Sequence, residues 1–252
     1  MSAYFLVVLA ICKNEGHIMT EWLEHYRKEG VDHFIIIDNG SDSDDDGLSI
    51  LRASTDVSLF VDNTKYAQLD LYKKYIQPFL DQTTWIAIVD LDEFMYAKRK
   101  GSILSSELAS LPSTVGMVTI HWTMFGSSGH VMQPRSVIRG FTYKQRHVHV
   151  NIKAIVRACA IKNLGQHGCE LNPGFLTVDE YLDRAEGSPC LQLNHYAIQS
   201  WTFFERVKMT RGDVLSSVSE HVRDLNYFKA YDINEIEDDE LAHKEYSEID
   251  DD

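Results

Sequence analysis

The chain has 252 residues, 44% of them hydrophobic and 11% aromatic, enough to bury one sizeable core. Its net charge of −14 argues against a nucleic-acid-binding surface. That charge is uneven: residues 232–252 hold eleven acids and one lysine, a balance of −10, which leaves −4 for the rest. Composition therefore assigns residues 1–231 to one domain and 232–252 to a flexible, solvated acidic tail. The four cysteines form no CxxC pair, which argues against a zinc site or a disulfide framework and for a reducing compartment.

Tyr4–Ile11 is a short continuous apolar run, as expected of a strand covered on both faces. A bilayer span needs about 20 such residues. No basic n-region or cleavage site accompanies the run, so the expected location is cytoplasmic. Ile18, Trp22 and Tyr26 recur every four residues and predict a helix that Gly30 ends. Phe34–Ile37 predicts a second strand, closing in DNGSDSDDDG, with Asp42 and Asp44–Asp46 as solvated loop residues. Leu48–Leu51 reads as a short helix and Val57–Val61 as a third strand. Ala67, Leu71, Tyr75 and Phe79 predict another helix, and Trp85–Val89 the next strand. Strands alternating with helices make an α/β unit with a parallel sheet. Ligands of such sheets bind beyond the carboxyl ends of the strands, where Asp38 and Asp90–Glu93 lie.

The second half has a different character. Val115–His121 and Ile152–Ala158 read as strands. From Leu108 to Gly168 there is no Asp or Glu, while Arg135, Arg139, Lys144, Arg146, Lys153, Arg157 and Lys162 supply seven cations. Such a stretch can steer a diphosphate, although a solvated strand face explains most of it as well. Thr202 and Glu205 fit a capping box for a helix running to about Arg211.

WIAIVDLDEF, residues 85–94, carries the sharpest chemical signal. Residues i and i+2 of an extended chain point the same way, so Asp90 and Asp92 face one spot at the sheet edge. Paired carboxylates suit Mg²⁺ or Mn²⁺, which take one or two carboxylates together with substrate phosphates. The alternative is that they cap the next segment or pair with Lys98 and Arg99. Asp38, ending the second strand, can accept hydrogen bonds from a base or ribose, or can simply shape a turn. His167, in the loop QHG, can ligate metal as a neutral imidazole, or be a polar surface residue.

Taken in order, AICKNEGHIMTEWLEHYRKEGVDHFIIIDNGSDS, WIAIVDLDEF, HWTMFGSSG, the stretch Lys153–His167 and NHYAIQSWTFFERVKMTRGD resemble glycosyltransferases of the GT-A fold. The nearest group is family 92 (formerly DUF23), with related family 2-like enzymes. The resemblance runs from about Leu6 to Asp213 and implies a Rossmann-like nucleotide-sugar-binding fold with a mixed central sheet. It also implies a nucleotide-sugar donor, a UDP-sugar first, a divalent metal (Mn²⁺ or Mg²⁺) and transfer to a hydroxyl of a glycan or glycoconjugate with inversion.

By position, the resemblance sets Asn14, Glu15 and Asp38 near the nucleotide. Asp90 and Asp92 match the DxD motif, with Asp92 as the direct metal ligand, and His167 matches the histidine that completes the metal site. His195, Lys208 and Arg211 match a segment expected to close over the phosphates, with Lys153 also on the nucleotide side. The chain departs from the pattern at Gln199, where a lysine is common. Transfer also needs a base for the acceptor hydroxyl. Candidates are His121, Glu93 and Asp183, with Glu170 and Asp179 behind them.

Two other classes compete. IVDLDEF loosely resembles the DxD of haloacid-dehalogenase-type phosphatases, but that motif stands on a first strand, whereas this one follows several. A catalytically silent carbohydrate- or nucleotide-binding module would bind UDP with metal and turn nothing over.

Overall fold

The computed structural model describes residues 3–182, 190–210 and 223–246. Strand β1 (Tyr4–Cys12) leads into helix α1 (Gly16–Lys28), followed by β2 (His33–Asp38), α2 (Gly47–Ala53), β3 (Val57–Val61) and α3 (Gln68–Ile76). A 3₁₀ turn with Pro78 in its first turn then enters β4 (Thr83–Ile88), and β5 (Glu93–Ala97) follows after four residues. Beyond α4 (Leu104–Ala109) come β6 (Val115–Met124), α5 (Val137–Gly140), β7 (Tyr143–Lys144) and β8 (Ile152–Arg157). Three short strands, β9 (Ile161–Leu164), β10 (Cys169–Leu171) and β11 (Leu176–Val178), precede β12 (Leu191–His195). The described chain closes with α6 (Trp201–Phe203), a π-helical turn Phe204–Lys208, α7 (Leu225–Tyr231) and β13 (Ile236–Glu237).

The main sheet runs β3-β2-β1-β4-β8-β6-β12-β5, with β11 also on β6. From β3 to β4 all neighbours are parallel. β8 is antiparallel to both β4 and β6, β12 is parallel to β6, and β5 is antiparallel to β12. This is the mixed α/β sheet the motifs implied.

Side chains of β1 alternate between two cores, as a pleated strand requires. Leu6, Val8 and Ala10 pack with Trp22 and Tyr26 of α1, while Val7, Leu9 and Ile11 pack with Leu71, Tyr72 and Ile76 of α3. With helices on both faces, the parallel strands need apolar residues at every position.

Three expectations change. β6 continues past His121 to Met124, because Trp122, Thr123 and Met124 pair with β12. The turn after β12 is capped by Ser200, whose Oγ accepts from Phe203 N–H at 3.2 Å, rather than by Thr202. The third change concerns the acidic segment, of which residues 232–246 pack against the body instead of lying in solvent. β13 pairs antiparallel with β7, Leu241 is buried in the core, and Asp238 pairs with Lys144 at 2.5 Å. Lys144 belongs to the acid-free stretch. Lys244 pairs with Glu29, which is fully buried at the C-terminal end of α1 and also accepts from Leu104 N–H at 2.9 Å. Composition counted the acids without the cations they meet. Among the described residues no helix is long and apolar enough to cross a membrane.

Candidate active site

β4 ends at Ile88, and the chain turns through Asp90–Asp92 into β5. Helix α1 holds this turn by its aromatic donors. Trp22 Nε1–H reaches the carbonyls of Asp90 (3.2 Å) and Glu93 (3.1 Å), and Tyr26 Oη–H donates to Glu93 O at 3.0 Å. The turn also closes on itself, since Asp90 N–H donates to Glu93 Oε2 at 2.8 Å.

The carboxylates meet two buried lysines. Lys153 Nζ, from β8, donates to Asp90 Oδ2 at 2.8 Å and lies 3.5 Å from Glu93. Lys208 Nζ, at the end of the π-helical turn, donates to Asp92 Oδ2 at 2.7 Å and lies 3.3 Å from Glu15. The other Asp92 oxygen faces His195 Nε2 at 3.5 Å.

Burial opposes the charge of Asp92, but Lys208 and His195 outweigh it and hold the carboxyl well below its usual range. Burial also lowers the pKa of His195, in spite of the neighbouring Asp92. Glu93 moves the opposite way, its burial raising the carboxyl above the ordinary range in spite of Lys153. For Lys153, burial favours the neutral amine, yet Asp90 and Glu93 together raise its pKa and keep it charged.

Both Lys153 and Glu93 are fully buried. Lys153 sits beneath Asp90 and does not face a nucleotide from solvent. Glu93 is shut away from any acceptor hydroxyl.

A second cluster lies at the neighbouring strand ends. Asn14, at a positive φ of 54°, exchanges hydrogen bonds with Asp42: its Nδ2–H donates at 2.8 Å, and its Oδ1 accepts from Asp42 N–H at 2.7 Å. Asp38 is buried, and its carboxylate accepts from the N–H groups of Gly40 and Ser41 at 3.2–3.3 Å. The turn-forming use of Asp38 is thus present. Asp45, expected to be solvated, accepts from Gly16 N–H and Gly47 N–H, both at 2.9 Å. One carboxylate thereby caps the first residues of both α1 and α2.

His167 Nδ1–H donates to the carbonyl of Ile152 at 3.1 Å, and its ring meets Trp122 edge-on at 5.8 Å. Burial lowers its pKa, and the Lys153 ammonium lowers it further. His195 meets the same Trp122 ring at 4.4 Å. Gln199, the departure from the family pattern, is buried at a φ of 52° and bonded to His17 (3.0 Å) and Gln133 (2.8 Å).

His121 faces Glu180, with Nδ1 3.0 Å from Oε1 and 3.1 Å from Oε2. The imidazole is 37% exposed and the carboxylate 10%, so a buried acid orients an open base. β6 and β8 pair His121 with Ile152, and β4 pairs Ala87 with Ile155. Asp90 lies beyond the end of that pairing, in the turn that follows β4. Glu180 escaped notice because its partner lies 59 residues away and no short motif links them. Glu170 is engaged by Lys162 at the surface, and Asp179 accepts from Tyr181 N–H at 3.0 Å. Asp183 and Arg211 lie outside the described residues.

Among the described residues no three His, Cys, Asp or Glu side chains converge to cage a metal ion. The donor chemistry nevertheless fits a hard divalent cation in the form Mg²⁺ usually takes, with one or two carboxylates from the protein and the remaining oxygens from phosphate. Lys208 supports that fit, because a cationic ammonium already occupies the notch between Asp92 and Glu15.

No protein-family model matches the chain. A glycosyltransferase family 92 protein from Oryza sativa subsp. japonica is 23% identical over 231 residues, covering 81% of this chain and 35% of the relative. Another from Ricinus communis is 24% identical over 212 residues, covering 79% and 36%. The chain therefore spans about a third of the length of these curated relatives. Among solved structures, S. aureus TarS superposes with a TM-score of 0.40 at 16% identity, covering 63% of this chain and 29% of that one. HddC from Yersinia pseudotuberculosis gives 0.36 at 12% identity, covering 70% and 90%. The ordered motifs and the two curated relatives agree: this chain is similar, over about four fifths of its length, to the glycosyltransferases of family 92.

Proposed function

We propose that the chain is the catalytic part of a glycosyltransferase that moves a sugar from a nucleoside-diphosphate donor, a UDP-sugar first, to a hydroxyl of a glycan or glycoconjugate. The observation that carries this reading is the Asp90–Asp92 turn at the carboxyl end of β4, backed by two buried lysines. Mn²⁺ or Mg²⁺ held by Asp90 and Asp92, with His167 beside them, would offset charge on the departing diphosphate. Asn14, Glu15 and Asp38 border the same sheet edge, where the nucleotide would lie.

His121 is the base this geometry favours. Glu180 accepts from Nδ1–H, leaving Nε2 with its lone pair. As the acceptor oxygen bonds to the anomeric carbon and the diphosphate leaves with the bonding electrons, the hydroxyl proton passes to Nε2. Attack on the face opposite the departing group inverts the anomeric centre. The position of the DxD, after three other strands, favours this reading over a phosphatase.

A screen of sugar nucleotides with Mn²⁺, read as released nucleoside diphosphate with and without glycan acceptors, tests the proposal. Release that depends on one sugar nucleotide supports it. Hydrolysis of simple phosphate esters without any sugar-nucleotide turnover would replace it with the phosphatase, and UDP binding without turnover with the silent module.

A further inference from the structure

Lys208 lies where three distant parts of the chain meet: Glu15 after β1, Asp92 after β4, and the π-helical turn after β12. It is 1% exposed, and its ammonium is 5.7 Å from the centre of the Phe203 ring. A π-helical turn inserts one extra residue per turn and commonly marks a functional position. Here it delivers a long cationic side chain into a notch formed by two carboxylates.

An ammonium and a hard divalent cation compete for the same carboxylate lone pairs. Asp92 is already engaged on both oxygens, by Lys208 at 2.7 Å and His195 at 3.5 Å. A divalent ion entering beside a retained Lys208 would set like charges side by side in a space nearly closed to water, where their repulsion is screened least.

We propose that Lys208 is an internal cation that competes with the divalent metal for Asp92 and releases it when a diphosphate draws the ammonium away. This rests on the nucleoside-diphosphate reading above. The protein without nucleotide then binds metal weakly, and nucleotide and metal strengthen each other's binding, as linkage requires. Lys208 moves from one anionic partner to another, so its charge stays compensated in both states.

The test is a titration of the nucleotide-free protein with Mn²⁺, following the free ion by electron paramagnetic resonance, then repeated with UDP. Lys208→Met and Lys208→Gln remove the ammonium, whereas Lys208→Arg keeps a cation in the notch. Circular dichroism and melting establish which variants are folded. The expected result is nucleotide-free Mn²⁺ binding at least ten-fold tighter in Lys208→Met or Lys208→Gln than in wild type, with Lys208→Arg close to wild type. The tightening caused by UDP should shrink by a similar factor in the neutral variants. A folded neutral variant that binds Mn²⁺ no more tightly than wild type would overturn the proposal. The titration uses no sugar donor, so it decides the role of Lys208 even if the donor screen shows no transfer.

Discussion

His25 is a histidine that packing keeps neutral. It is buried on α1, its Nε2–H donates to Met95 O at 2.7 Å, and burial pushes its pKa down to about 3. Between that value and the ordinary 6.5 the unfolded chain binds a proton that the folded chain refuses. Stability therefore rises with pH across this window and is lost as pH falls through it, by on the order of 4 kcal/mol at the acid end. Denaturant midpoints from pH 7 to pH 4 should drop less steeply in His25→Asn than in wild type. Parallel slopes would remove His25 as the cause. His121 calls for a kinetic test. His121→Ala should lower kcat for transfer by roughly 10²–10⁴-fold, the usual worth of a general base, with the donor KM little changed. Glu180→Gln keeps an acceptor for Nδ1–H but removes the carboxylate that stabilises the imidazolium formed in transfer, so kcat should fall while the fold survives; an unchanged kcat would count against the pair. Asp92→Asn keeps the shape at the DxD while removing the charge, and we expect transfer to be abolished. Undiminished turnover at saturating Mn²⁺ would exclude a role for that carboxylate.

Elements of the first hundred residues were legible because a buried parallel strand must be apolar at every position. Tyr4–Cys12, His33–Asp38 and Thr83–Ile88 follow this within a residue or two of the expected bounds, and the half-exposed edge strand Val57–Val61 falls where its short apolar run set it. The strand-end carboxylates could be placed for the same reason. Partners distant in sequence were not legible. Only the resemblance singles out Lys153 among seven similar cations, on the nucleotide side, and the structure reveals that it lies under Asp90. Asp45 read as one acid in a turn-rich run, and only the approach of α1 to α2 gives it two N–H groups to cap. A Cβ on Gly16 would come within 2.6 Å of Gly47 N, so the two helix starts are as close as glycine permits. Replacing Asp45 by Ala leaves both N–H groups without this acceptor. The expected cost is about 1–2 kcal/mol for each cap, read as a lowered denaturant midpoint. A change below about 0.5 kcal/mol would show that water serves equally well.

Across the whole molecule, charge is sorted along the chain and recombined in the fold. The acid-free stretch 108–168 and the acidic segment after 231 meet at Lys144–Asp238 and along β7–β13. Ending the chain at Tyr231 would remove Leu241 from the core and leave Glu29 buried without Lys244. Breaking a buried pair from one side costs roughly 3–5 kcal/mol. The melting temperature should therefore fall by about 10 °C, and a truncated protein that melts with the full chain would refute the docking. Glu29 and Lys244 are 215 residues apart. During synthesis, α1 would be complete long before its countercharge exists, so the growing chain must carry Glu29 in water or protonated until Lys244 emerges. Closure of this core thus waits for Lys244 to emerge, a point that a chain stalled before that residue cannot reach, and such fragments would present an unfinished hydrophobic face to chaperones and proteases.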